Sequence, residues 1–147
     1  MGIVPSLVTE RIESVKVGIV GAGAFAVAEL VLLFVKSILA STMTEYGLAT
    51  ITIDWQLLIQ IGIGMVSGFL FGVTYRYVIR DDHNSHLNDG AVLAFSLVRG
   101  LAFVESNLIL SELVSVVFLI VQSIICFAIA RSIIDFALTR KLIQPFV

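Results

Sequence analysis

Only 14% of the 147 residues are charged while 59% are apolar, and mean hydropathy is +1.06; a water-soluble domain carries about 25% charged residues, so this composition excludes one. Nine basic against eleven acidic residues, a net charge of -2, leave no basic stripe for nucleic acid. Cys126 is the only cysteine, which rules out an intrachain disulfide and any cysteine-based metal or Fe–S site, and a chain this short holds four membrane spans with no soluble head for an enzyme site.

Residues 1–16 form the first predicted element, an amphipathic interfacial segment ahead of a transmembrane domain over residues 17–147. Leu7, Val8, Ile12 and Val15 share one helical face, with Glu10, Glu13 and Lys16 largely elsewhere. Glu10, Arg11 and Glu13 make a poor signal-peptide start, so the segment is expected to be retained. Four apolar stretches follow, each long enough for the roughly 20 residues that a helical span needs. They run over about residues 17–39, 55–79, 90–110 and 113–134. The third is the weakest, because Glu105, Ser106 and Asn107 interrupt its outer end. A tilted or re-entrant helix is the alternative there. The fold class is therefore an all-α integral membrane protein with four transmembrane helices and a short amphipathic helix before them.

Lysine and arginine placement gives an orientation. Arg11, Lys16, Arg76, Arg80, Arg131, Arg140 and Lys141 fall at one set of span ends, and residues 41–54 and the surroundings of Asn107 carry no basic residue. By the positive-inside rule both termini are expected on the cytoplasmic or stromal side. Trp55, Tyr46, Tyr75 and Tyr77 sit near span ends, where amphipathic rings anchor helices. Gly21-Ala22 with Phe34-Val35 recurs as Gly90-Ala91 with Phe103-Val104, which suggests a parallel repeat of two hairpins.

Charges inside the spans are the strongest functional signal. Glu29 lies about 18 Å and Arg99 about 14 Å from the inner ends of their helices. An arginine stem closes the difference, so an intramembrane ion pair is expected. The alternative is a proton- or ion-coupled site on Glu29, although a neighbouring arginine would hinder proton exchange there. Lys36 and Glu105 form a second candidate pair near the outer ends. The alternative is independent snorkelling of both to the interface.

Gly64, Gly68 and Gly72 repeat every four residues on the second span, a spacing that lets another helix come close. The sequence leaves open whether that helix is in this chain or in a partner. Phe69, Phe71, Phe118 and Phe127 face helices or lipid, with pigment stacking as the sharper alternative. Asn88 or Asp89 is a plausible cap for the third span. His83 and His86 stand in the polar connection before it as candidate ligands for a pigment or a metal, but no ligand set is complete and no metal site is assigned. Gly18, Gly21 and Gly23 resemble part of a nucleotide fingerprint. No strand precedes them, so that reading is rejected. No serine, cysteine or histidine arrangement suggests a nucleophile.

Residues 68–80 (GFLFGVTYRYVIR) and 90–102 (GAVLAFSLVRGLA) resemble small thylakoid membrane proteins of cyanobacteria and plastids. The resemblance implies an accessory subunit or assembly factor in or near a photosystem, with chlorophyll or carotenoid as cofactors to look for. Residues 23–29 (GAFAVAE) resemble the first helix of small multidrug resistance transporters, around its membrane-embedded glutamate. The aromatic Trp-Ser-Gly stretch of their third helix is absent here and Arg99 stands in that helix, where it disfavours a cationic substrate. The sequence thus points to a non-enzymatic membrane subunit docked through helix packing onto a larger complex. A small proton- or ion-coupled transporter or channel using Glu29, expected as a homodimer, is the competing reading.

Overall fold

A computed structural model describes the backbone of residues 7–43, 54–78, 85–105 and 113–143; the side chains at 40–43, 85, 103–105 and 113–115 are not among those described. These residues fold into four helices, α1 (Leu7–Met43), α2 (Trp55–Val78), α3 (Ser85–Glu105) and α4 (Leu113–Thr139). α1 packs on α2 and on α4, and α3 packs mainly on α4 and less closely on α2. Among the described residues, α1 and α3 have no Cα atoms within 8 Å of each other. They are therefore the two helices on one diagonal of the bundle.

The distribution of side chains is the reverse of a soluble bundle. Leu30, Val31, Phe34, Leu58, Val66, Leu97, Val98, Phe118 and Phe136 face outward, while Ser14, Glu29, Arg76, Ser96, Arg99, Gln122 and Ser123 are buried. Apolar surface of that extent has hydrocarbon, not water, as its proper solvent. Among the described residues α1, α2 and α4 are long and apolar enough to cross a membrane, the mark of an integral membrane protein. On α3, Leu93, Leu97, Val98 and Leu101 point out of the bundle, and Ser96 and Arg99 point in. Hydroxyls in the helices are satisfied locally: Ser67, Ser96, Ser132 and Thr139 each donate to the carbonyl four residues back, at 2.6–2.9 Å.

The aromatic core sits between the polar layers. Phe71 and Phe127 are fully buried, with ring centroids 5.1 Å apart, and Phe25, Phe95 and Tyr75 pack around them. These two rings are engaged with each other inside the bundle, whereas Phe118 is exposed beneath Lys36.

The helix ends differ from expectation in instructive ways. Residues 7–16 of the N-terminal segment belong to α1, which runs without a break from Leu7 to Met43. Its apolar residues Leu7, Val8, Ile12 and Val15 are exposed, and its polar residues Glu10 and Ser14 turn inward onto α2. At about 55 Å, α1 is far longer than a hydrocarbon core of about 30 Å, so part of it must lie beyond that core. α3 starts at Ser85, ahead of the expected cap, and Asp89 lies within the helix, where it pairs with Arg131 instead of capping an end. α4 continues past Ile134 to Thr139 and closes with Lys141 in the left-handed region (φ 55°). Lys141 N–H donates to the Leu138 carbonyl and Leu142 N–H to that of Ala137, at 3.0 and 3.1 Å, the bond pair of a Schellman cap.

Candidate functional site: two polar clusters inside the bundle

The α1–α2 seam positions everything else. A Cβ at Gly68 would come 2.6 Å from Phe25 Cβ, and one at Gly72 would come 2.5 Å from the Val17 carbonyl oxygen. Gly21 faces Gly68 so closely that any side chain would strike its carbonyl. The glycine ridge on α2 is thus consumed inside the chain, by Gly18 and Gly21 of α1. It is not a free face for an outside partner. Gly64 serves a second purpose, since a side chain there would collide with the carboxylate of Glu29.

The central cluster is built around that carboxylate. Glu29 and Arg99, at 1% and 7% exposure, approach to 3.0 Å between Oε1 and Nη2. The pair spans the diagonal between α1 and α3, helices with no Cα atoms within 8 Å of each other among the described residues. Gln60 of α2 donates from Nε2 to the same oxygen at 3.0 Å. The Arg99 guanidinium also sits 4.7 Å from the centre of the Phe25 ring, where a cation gains from the ring quadrupole. Glu29 Oε2 is buried and accepts no hydrogen bond from the described residues. Glu29, Gln60, Arg99, Gln122, Ser123 and Cys126 line a cavity of about 10 Å³. One turn or two further out, Lys36 Nζ donates to Gln122 Oε1 at 2.5 Å and lies 4.8 Å above the Phe118 ring.

Lys36 therefore bonds Gln122 of α4; the expected partner Glu105 has a side chain outside the described residues. His83 lies outside them too. His86 is exposed in the first turns of α3, and among the described residues no group of three metal-ligating side chains comes together.

The second cluster was not anticipated. Arg76, placed by sequence at a span end, is 1% exposed and is the largest fully buried side chain among the described residues. It donates to Glu10 Oε2 at 2.8 Å, to Ser14 Oγ at 2.7 Å and to the Glu10 carbonyl at 3.0 Å. Beside it, the Tyr75 hydroxyl donates to Asp135 at 2.9 Å and accepts from Arg131 Nε at 3.1 Å, while Arg131 also pairs with Asp89. Each hairpin is thereby closed at this end by an arginine of its second helix and a carboxylate of its first: Arg76 to Glu10, and Arg131 to Asp89. Tyr75 and Asp135 tie the two hairpins together. Gly21 and Gly90, equivalent in the suggested repeat, differ in setting, for Gly21 is packed against Gly68 and nothing lies within 4 Å of a Cβ at Gly90.

One face is not closed. Between α2 and α3 runs a groove of about 440 Å³, walled by Ile63, Ser67 and Leu70 on one side and Val98 and Ala102 on the other, with Phe127 at its floor. Arg99 borders both this groove and the central cavity.

Compared with known proteins, the chain matches no family model, no curated protein and no solved structure.

Proposed function

We propose that this chain is a small non-enzymatic subunit of a larger membrane complex, a bundle of four membrane-crossing helices that receives a transmembrane helix of its partner between α2 and α3. The observation that carries this reading is the α2–α3 groove. Its wall residues fall at positions 63, 67 and 70 on α2 and 95, 98 and 102 on α3. That i, i+3/i+4, i+7 spacing is what a crossing helix uses to seat its ridge. The other packing device of the chain, the glycine ridge, is already spent on α1. α3 is treated as a fourth span because its outward face is apolar.

The transporter reading is less well supported. Glu29 is bound by Arg99 and Gln60, and the space beside it is that of about one water. The resemblance of residues 68–80 and 90–102 to thylakoid proteins favours a thylakoid as the host membrane, with a photosystem as the larger complex. Filling the groove tests the docking. Purified from its native membrane in mild detergent, the wild-type chain should travel with larger membrane proteins. Ala102→Trp with Ser67→Leu should abolish that association while leaving the helical content and melting of the chain unchanged. A wild-type chain that elutes alone, or a filled groove that still co-purifies with the same proteins, contradicts the proposal.

A further inference from the structure

We infer that the central cavity holds one ordered water, which hydrogen-bonds the Glu29 carboxylate and links it to the Gln122 amide and the Ser123 hydroxyl of α4. Three observations meet here. The Glu29 carboxylate is 99% buried by the surrounding helices, for its residue exposure is 1%, and its Oε2 has no hydrogen-bonding partner among the described residues. A carboxylate oxygen left unsatisfied at that depth carries a large desolvation cost. The adjoining cavity measures about 10 Å³, about the least space that admits one water and too small for more. Its lining is polar on three sides, with Gln60, Gln122 and Ser123 in addition to the ion pair. A buried water needs two to four such partners.

The arrangement also assigns a direction. Gln122 spends its carbonyl oxygen on Lys36, which leaves the amide N–H groups to donate toward the cavity, and the water in turn donates to the carboxylate. A continuous polar column then runs from Lys36 through Gln122 and the water to Glu29, and on to Arg99 of α3. It joins α1, α4 and α3, of which α1 and α3 have no Cα atoms within 8 Å of each other among the described residues. A cation is the wrong occupant, because Arg99 and Lys36 flank the site from two sides.

The site is read by solid-state NMR of the full isotope-labelled chain in lipid bilayers, measuring magnetisation transfer from water protons to individual side chains. Transfer is expected at Gln122 and Ser123, and not at Ser96, which is equally buried but bonds its own helix backbone. Ser123→Val, which removes a partner and fills the space, should abolish transfer at Gln122. The wild-type comparison decides the matter even if that variant fails to fold. Absence of transfer at Gln122 and Ser123, transfer at Ser96 to the same extent, or a signal that moves with sodium or potassium concentration would overturn the assignment.

Discussion

The α1–α2 seam and the α2–α3 groove share one helix and have opposite characters. On the α1 side, α2 presents Gly64, Gly68 and Gly72, and the helices approach until a single added methyl would strike the neighbouring helix. On the α3 side it presents Ile63, Ser67 and Leu70, and the helices stay apart around an open groove. Lipid is as apolar as leucine, so helices in a membrane do not associate merely to escape solvent; close packing and hydrogen bonds must hold them. The seam is held by close packing. α3 is held by contact with α4 and by the reach of Arg99 to Glu29.

The contrast can be broken first at the seam. Gly21→Leu should cost about 3 kcal/mol or more in unfolding free energy, because the side chain meets backbone that cannot yield; reversible unfolding in detergent measures it. Unchanged stability would mean that the seam is looser than described. Arg76→Met, at the end of the same seam, should cost about 1–3 kcal/mol by leaving Glu10 without its partner. Because Glu10 is 18% exposed, water reaches it and limits the loss. The same assay detects the effect, and Arg76→Lys should restore only part of it, since one ammonium cannot reproduce three directed N–H bonds. Smallest of all is Gly23→Ala. Gly23 faces open space, so the change should raise stability by up to about 1 kcal/mol through helix propensity alone. Loss of stability at Gly23 would show that glycine content, not seam contact, governs the bundle.

Much of this fold was legible because apolar runs of membrane length become helices whatever their partners, and because two opposite charges at one depth have few alternatives to each other. The glycine spacing on α2 was legible as well. Its partner was not, although Gly18 and Gly21 stood in the sequence three residues apart, on one face of a helix; they drew attention as a nucleotide motif instead. Periodicity gave little help in deciding which faces meet, since both lipid-facing and core-facing positions are apolar. Arg76 misled for a related reason. A basic residue near a span end has two destinations, the interface or a carboxylate on a neighbouring helix, and the choice depends on a contact 66 residues away. The neutral amides Gln60 and Gln122 were passed over, yet an amide inside an apolar span must find a partner, and both found the central cluster. The predicted fourth span stopped at Ile134, whereas α4 continues through Asp135, which accepts a bond from Tyr75.

The claim on which the rest depends is that Glu29 and Arg99 together hold α3 to α1 across the bundle. A double-mutant cycle with Glu29→Gln and Arg99→Leu, read as unfolding free energy in bilayer or detergent, addresses it most directly. Each single change should cost about 3–5 kcal/mol by stranding a buried charge, and the double change should recover a large part of that loss. Two small single effects that simply add, to within about 0.5 kcal/mol, would contradict it.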